Sequence, residues 1–354
     1  MIKNYFKIAL RKLWKHKVFS AINIMGLAVG MTACFLIYLY VHFETSYDAF
    51  NTKANRIYRV ISDIKTPSDL LQWSSTSAPV AINMQRDFPE VESAVRIAGQ
   101  SFLVRKGNEK FQENNTIMAD STLFKIFDFP LVYGDKNTAL KEPMSIVLSQ
   151  TAAKKYFGNA NPVGQSVLLT GGAINATITG IMKDIPENSQ IKADMIVSMS
   201  SQKQIYGRSL DSQWTSFNLL SYVLLKPGSN PKTLQAKLPA FVDFHTGKQL
   251  KDAQMSLKFT LEPLRDVYLY STRDDSKSGN MNNVYIFSII AVFILLIACI
   301  NFINLTTARS AERAKEVGIR KVVGAARFQL ARQFMGESVV ICFMSFIIAV
   351  LLCS

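Results

Sequence analysis

The titratable and nucleophilic side chains of this chain form no familiar catalytic pattern. Its three histidines, His16, His42 and His245, are far apart, and all four cysteines lie in apolar stretches. Neither spacing is typical of metal ligation or of a disulfide framework, so we interpret the thiols as small buried apolar residues. GxxxxGK[ST], GxSxG and HExxH motifs do not occur. We predict no catalytic residue, metal site or cofactor, and keep an exported enzyme with an unfamiliar site as an alternative.

One stretch has the composition of a binding surface: "RAKEVGIRKVVGAARFQL", residues 313–330. Its apolar residues can form one side of short helices that are broken near Gly318 and Gly324. Those apolar residues are Val317, Ile319, Val322, Val323, Ala326 and Leu330, and the charged residues beside them include Glu316, Arg320 and Lys321. Such a surface fits a protein partner, but a basic helix lying on anionic lipid headgroups would have the same composition.

The basic charge of the chain is concentrated near apolar runs. The net charge is +14 over 354 residues, of which 49% are hydrophobic. Residues 1–43 hold six Lys and Arg and no acidic residue, and residues 306–354 hold seven against three Glu. A nucleic-acid-binding protein would carry this excess on a folded domain, so no nucleic-acid partner is expected. The distribution favours a membrane as the partner.

Three uncharged apolar runs predict transmembrane helices at residues 18–43, 284–308 and 338–354. About 20 apolar residues cross a bilayer, so the first two runs are long enough. The first run is also longer than the apolar core of a cleaved signal peptide, and its continuation past Cys34 is atypical of a lipoprotein. The third run is shorter, so we expect it to be the start of an incomplete helix in a truncated sequence.

The positions of Lys and Arg predict the orientation of these helices. Basic residues precede the first run and follow the second, which places both clusters in the cytoplasm. We therefore predict a basic cytoplasmic helix at 1–17, an exported domain at 44–283 and a cytoplasmic coupling segment at 309–337. Gly26 and Gly30 lie four apart in the first run, which favours close helix packing either within the subunit or between two copies.

The exported domain has the pattern of an α+β fold. Hairpins are predicted at 101–111, around Gly107, and at 165–182. Further strands are predicted at 55–62, 218–228 and 256–264, with helices at 78–88 and from Asn230 to about Phe244, and a strand followed by a helix at 145–158. We expect two lobes with a break near 140–185.

Several stretches together resemble one family, the FtsX/MacB-like permeases of ATP-binding-cassette (ABC) systems. The similarity is to the branch with a MacB-type periplasmic core domain, and to the long tandem permeases of Bacteroidetes-type bacteria. The stretches that carry it, in chain order, are "NYFKIALRKLWKHKVFSAINIMGLAVGM", "YDAFNTKANRIYRV", "FDFPLVYGD", "SIVLSQTAAKKYFGNANPVGQ", "ITGIMKDIPENSQIKADMIVS", "LEPLRDVYL" and "NFINLTTARSAERAKEVGIRKVVGAAR".

The resemblance implies a membrane protein of α-helical spans with a large inserted α+β periplasmic domain, in the bacterial inner membrane. It implies a permease subunit, with ATP bound by a separate ATPase and the motion transmitted to the periplasmic domain. The ATPase-coupling residues that it indicates are Glu316, Val317, Gly318, Ile319, Arg320, Lys321 and Gly324.

The resemblance also implies partners and leaves alternative functions open. A dimer or pseudo-dimer of permease units is expected, with a periplasmic adaptor or hydrolase as a further partner. Efflux of small molecules or peptides and release of lipoproteins are the expected transport functions. The alternatives are an FtsX-like regulator of a cell-wall hydrolase and a membrane-tethered sensor.

Overall fold

A computed structural model describes residues 14, 17–170, 174–206, 210–273, 279–308, 314, 317–319, 321–322 and 327–353. The chain divides into two compact units. One combines the chain ends, residues 1–45 and 281–354, and the other comprises residues 46–280.

The described residues contain the following regular elements. The helices are α1 (Lys17–Thr45), α2 (Pro79–Asp87), α3 (Leu123–Ile126), α4 (Gln150–Phe157), α5 (Gln202–Tyr206), α6 (Pro231–Asp252), α7 (Leu264–Val267), α8 (Met281–Ala308) and α9 (Arg327–Cys353). The strands are β1 (Ile57–Lys65), β2 (Leu70–Trp73), β3 (Thr76–Ser77), β4 (Val91–Lys106), β5 (Glu109–Ala119), β6 (Leu131–Tyr133), β7 (Ser145–Ser149), β8 (Ser166–Leu169), β9 (Ile174–Met182), β10 (Met195–Ser198), β11 (Phe217–Leu225) and β12 (Ser256–Pro263).

The unit that combines the chain ends consists of long apolar helices. By length and composition, α1, α8 and residues Phe328–Cys353 of α9 could each cross a membrane. Many of their large apolar side chains are exposed, as lipid-facing side chains would be. The helix α9 begins at Arg327, well before the predicted start at residue 338. The helix continues through the charged residues Arg332 and Glu337. The predicted start rests on a run without charge, and such a run locates only the apolar part of a helix.

A single mixed sheet forms the framework of the exported domain. Its strands lie in the order β12-β1-β11-β4-β5-β10-β7-β9-β6, with β2, β3 and β8 joined at the side of this path. The pairs β5–β10 and β7–β9 are parallel, and the other pairs are antiparallel. Helices cover this sheet, so the predicted α+β class is confirmed. A division into two lobes stays a prediction, because strands from both sides of residues 140–185 belong to one sheet.

The hairpin predicted around Gly107 is confirmed. Strand β4 ends at Lys106 and β5 begins at Glu109, so two residues form the turn. Gly107 has a φ angle of +59°, which is the left-handed conformation that such two-residue turns need. The long hairpin places the β4–β5 pair at the centre of the sheet.

The predicted end of the 230–244 helix is wrong, because α6 continues to Asp252. Val242 and Thr246 are buried and Leu250 packs against the core, so helical spacing keeps one face of the chain covered past Phe244. Gly247 lies inside the helix and is itself buried. Burial of this face outweighs the poor helix propensity of glycine.

Candidate functional site

The segment that directly follows α1 in the chain is fixed to the exported domain by hydrogen bonds. We call residues 46–53, "SYDAFNTK", the post-span segment. It makes turns and contacts two segments that are distant in sequence, one at 125–129 and one at 188–190. These contacts all lie within the unit 46–280.

The first set of contacts joins the post-span segment to residues 188–190. The side-chain amide of Asn188 donates to the carbonyl oxygen of Ser46 at 3.1 Å and to its hydroxyl at 2.9 Å. In return, the backbone N–H of Asp48 donates to the carbonyl of Asn188 at 2.8 Å. Bonds in both directions restrain the position and the orientation of the segment.

The carboxylate of Asp48 is buried at the junction between the post-span segment and residues 188–190. Asp48 is only 1% exposed, and it accepts hydrogen bonds from the Ser189 hydroxyl at 3.0 Å and from the Gln190 backbone N–H at 3.3 Å. Burial raises the pKa of Asp48 to about 6, although these donors and the positive charge of Lys192 act in the opposite direction. Its φ angle is +53°, a conformation that aspartate and asparagine tolerate better than most residues.

The second set of contacts joins the post-span segment to residues 125–129. Oδ2 of Asp128 accepts from the backbone N–H of Thr52 at 2.6 Å and from its hydroxyl at 2.7 Å. The backbone N–H of Asp128 donates to Oδ1 of Asn51 at 2.9 Å. Lys53 donates to the carbonyl of Lys125 at 2.6 Å, and the rings of Phe50 and Phe129 lie 6.0 Å apart.

Together these contacts make the post-span segment part of the domain. Hydrogen bonds to charged groups contribute about 1.5–3 kcal/mol each, and several of them act here on eight residues. A displacement of Ser46 would therefore move residues 125–129 and 188–190 with it. Sequence reasoning gave these residues no role, although all except Ser46, Lys125 and Ile126 lie in the stretches "YDAFNTKANRIYRV", "FDFPLVYGD" and "ITGIMKDIPENSQIKADMIVS" that carry the family resemblance. The signal in the sequence that could have pointed to them is the group of polar residues that follows the first predicted transmembrane helix.

The predicted ATPase-coupling residues are described only in part. Residues 317–319 and 321–322 are helical, and residues 316, 320, 323, 324 and 326 lie outside the described residues. The breaks near Gly318 and Gly324 therefore stay predictions. Ile319 is 60% exposed and Val322 is 89% exposed, whereas Leu330 is 6% exposed. Among the described residues of the predicted apolar side, Leu330 is thus buried, Val317 is half-buried, and Ile319 and Val322 are exposed.

The two glycines of α1 face α8 of the same chain. A Cβ atom at Gly30 would lie 2.6 Å from the Cβ of Ala298, and one at Gly26 would lie 3.2 Å from the amide nitrogen of Asn301. The thiol of Cys34 donates to the carbonyl of Ala291 at 3.0 Å. Partner numbers fall as α1 numbers rise, so the two helices are antiparallel.

The described residues contain no group of three or more His, Cys, Asp or Glu side chains that could hold a metal ion. The candidate site thus consists of the hydrogen-bonded post-span segment and of the exposed apolar residues Ile319 and Val322.

Comparison with known proteins gives two matches to family patterns. Residues 20–241 match the MacB-like periplasmic core domain, and residues 288–353 match the FtsX-like permease C-terminal. A crystallised domain of a Porphyromonas gingivalis protein has a similar fold, with a TM-score of 0.54 and 23% identity. The similarity covers 66% of this chain and 98% of that domain.

Curated relatives are similar over nearly the whole chain. A "Probable export ATP-binding/permease protein" of Pseudomonas fluorescens strain Pf-5 is 24% identical over 352 residues, which is 97% of this chain and 50% of the relative. The macrolide export ATP-binding/permease protein MacB of Agrobacterium fabrum is 22% identical over 359 residues, 98% of this chain and 51% of the relative. The chain thus spans about half the length of these relatives.

The two family patterns follow each other along the chain and match successive parts of the fold. The first covers most of α1 and much of the exported domain, and the second covers α8 and α9. This is a membrane protein with an inserted periplasmic domain, and the chain belongs to the FtsX/MacB-like family of ABC permeases.

Proposed function

We propose that this chain is the permease subunit of an ATP-driven export or mechanotransmission system. A separate ATPase in the cytoplasm hydrolyses ATP, and the helices pass the resulting movement to the periplasmic domain. The names of the similar proteins join an ATP-binding part to a permease part, and this chain contains no P-loop sequence. The ATPase is therefore expected on another polypeptide or another segment.

The observation that carries the proposal is the fixed post-span segment. A device that transmits movement needs a stiff connection between its membrane helix and its external domain. Here α1 ends at Thr45, and the very next residue, Ser46, already accepts hydrogen bonds from Asn188. A flexible Gly/Ser linker would let the helix move without moving the domain, but no such linker follows α1.

The cytoplasmic side of the proposal depends on the exposed pair Ile319 and Val322. Large apolar side chains exposed beside basic residues suit a partner surface that is apolar in its centre and charged around it. The basic clusters favour a cytoplasmic location for this segment and for the N-terminus. Contact of the same segment with anionic lipid is compatible with the proposal.

A charge exchange in the coupling segment tests the cytoplasmic side. The double variant Glu316→Lys with Arg320→Glu should lower ATP hydrolysis by the purified membrane complex about tenfold or more, as expected when a charged interface is reversed. Membrane insertion of the chain should stay unchanged, because the total charge is conserved. The measurement is vanadate-sensitive ATP hydrolysis together with the amount of P-loop ATPase that co-purifies.

The matched control exchanges two exposed charges in the β4–β5 hairpin, Glu109→Lys with Lys110→Glu. This variant should keep both the ATPase and its hydrolysis rate. If the coupling-segment variant retains an equal amount of active ATPase, the assignment of residues 316–324 to ATPase docking is wrong.

A further inference from the structure

A cavity of about 540 Å³ lies in the periplasmic domain where strands β4 and β11 separate. Its size is within the range of small-ligand sites in proteins. One wall includes Gly99 and Gln100 of β4, and the opposite wall includes Asn218 of β11. Gln202 and Tyr206 of α5, and Gln213 in the loop before β11, also line it. The site is built only from residues that the structure describes, although residues 207–209 lie outside them.

The separation of the two strands leaves backbone groups of β4 without a strand partner. The antiparallel β4–β11 pairing ends with Ile97 opposite Leu220, and no described residue of β11 before Leu220 pairs with β4. Beyond Ile97, the described residues of β4 pair only with β5 until Arg105 meets β8. The strand β4 therefore has an open edge from Ala98 to Gln100, beside the cavity.

The alternation of the strand shows which residue presents its backbone to the cavity. The carbonyl of Arg96 accepts from the N–H of Asp120, and the carbonyl of Gln100 accepts from the hydroxyl of Thr116. Even-numbered residues of this part of β4 thus direct their backbone groups towards β5. Backbone groups in a strand alternate between its two edges, so the N–H and C=O of Gly99 point to the open edge. Gly99 is exposed, and no atom lies within 4 Å of the position of a Cβ there.

The side chains around this edge are neutral hydrogen-bonding groups. Gln202 is only 5% exposed, yet its amide N–H donates to the sulfur of Met199 at 2.6 Å, which is a weak acceptor. Oε1 of Gln100 accepts from the Tyr206 hydroxyl at 2.7 Å, which orients both side chains at the cavity wall. Gln213 and Asn218 add two further amides, and no described residue that lines the cavity is charged.

We propose that this cavity binds an extended, uncharged peptide segment, which adds to β4 as a short strand at Gly99. Addition of a strand satisfies an open edge through main-chain hydrogen bonds, and side-chain amides can donate to and accept from further peptide groups. An anionic or cationic ligand would leave its charge without a partner among these neutral groups, at a large cost in free energy. Binding at this site does not depend on the proposed function, because it requires neither an ATPase nor transport.

The test uses the full chain in detergent micelles and a defined probe. The probe is the blocked peptide acetyl-Thr-Val-Thr-Val-Thr-amide with a fluorophore on a glycine spacer, and binding is followed by fluorescence anisotropy. The first control probe is the same peptide with methylated backbone nitrogens, which cannot donate to a strand. The second is labelled maltotriose, an uncharged ligand that offers hydroxyl groups in place of peptide groups. Hydrogen exchange of the Gly99 amide is measured with and without the peptide.

Three variants separate the backbone contact from the side-chain contacts. Gly99→Pro removes the N–H donor, whereas Gly99→Ala adds a carbon atom at the same place and keeps the donor. Gln202→Leu removes a buried amide with little change in volume, and Gln72→Leu on β2 is its matched control, because Gln72 is exposed and does not line the cavity. The melting temperature of each variant confirms that it is folded.

The proposal predicts that the peptide binds and slows exchange of the Gly99 amide. Gly99→Pro and Gln202→Leu should each weaken binding about three- to tenfold, the effect of losing one neutral hydrogen bond. Gly99→Ala and Gln72→Leu should bind as the parent does. The proposal is overturned if the peptide does not bind at millimolar concentration, if the methylated peptide binds equally well, or if maltotriose binds in its place. If Gly99→Pro does not fold, unchanged binding by Gln202→Leu together with unchanged exchange at Gly99 is enough to overturn it.

Discussion

At the scale of single residues, the buried carboxylate of Asp48 makes the stability of the junction depend on pH. Its left-handed backbone places the carboxylate where Ser189 and Gln190 donate to it, in a site from which water is nearly excluded. Burial dominates over these donors, so the pKa of Asp48 rises from 3.8 to about 6. The ionised form is therefore stabilised less in the folded protein than in water.

The raised pKa of Asp48 predicts a specific dependence of stability on pH. Between about pH 4 and 6 the folded state binds more protons than the unfolded state, so the free energy of unfolding should fall as the pH rises and level off above about 6. The contribution is at most roughly 3 kcal/mol, from a pKa difference of about two units. The variant Asp48→Asn keeps a side chain that tolerates the left-handed backbone and should remove this part of the pH dependence. The measurement is denaturant unfolding of both proteins, followed by tryptophan fluorescence, at pH 4.5 and pH 7.

The control is Asp252→Asn, at the exposed end of α6, which should keep the pH dependence of the parent. An Asp48→Asn variant whose stability changes with pH as the parent's does would show that the buried carboxylate is not the responsible group.

At the scale of elements, the close contact of α1 and α8 depends on Gly30. The notional Cβ at this position would lie 2.6 Å from the Cβ of Ala298, a distance that real Cβ atoms do not reach. Without a hydrophobic driving force in lipid, helices associate through close packing, and small residues permit it. Tyr40 and Phe287 pack edge to face further along the same pair of helices, with ring centroids 5.2 Å apart.

The close contact predicts that two substitutions compensate for each other. Gly30→Ala should force α1 and α8 apart and destabilise the helix pair by about 1–3 kcal/mol, the cost of overpacking. Adding Ala298→Gly should recover most of this loss, because it removes the atom that the new methyl group meets. Gly26→Ala is the matched control and should be milder, since its neighbour is the movable amide of Asn301. Thermal unfolding in micelles measures all four proteins, and equal effects of Gly30→Ala with and without Ala298→Gly would contradict the contact.

Local signals in the sequence predict some elements well and others poorly. The hairpin at Gly107 is predictable because its turn needs a left-handed residue and the flanking strands alternate. The end of α6 is not predictable in the same way: Gly247 is typical of a helix end, but burial of Val242 and Thr246 carries the helix past it. The junction of Asp48 with Ser189 joins residues 141 positions apart, and no local pattern indicates a pairing at that distance.

At the scale of the whole molecule, charge and apolar length predict more than motifs do. The three apolar helices follow from runs without charge, and the α+β class of the domain between them follows from alternating periodicity. The cavity beside Gly99 could not be foreseen, because it arises where β4 and β11 separate, and sheet order is a property of the complete chain. The account therefore rests on a structural connection: the post-span segment, which directly follows α1 in the chain, is hydrogen-bonded into the periplasmic domain.

Hydrogen exchange of the periplasmic domain, with and without ATP, tests this connection most directly. The full chain is purified with its ATPase, and exchange is measured at residues 186–192, which include the partners of Ser46 and Asp48. In the parent, ATP should change exchange at these residues. Insertion of Gly-Ser-Gly-Ser between Thr45 and Ser46 should abolish the change while the ATPase still co-purifies, and the same insertion between Gly107 and Asn108 should leave it intact. A nucleotide response that persists after the insertion at Thr45, or a parent that shows no response, would contradict the account.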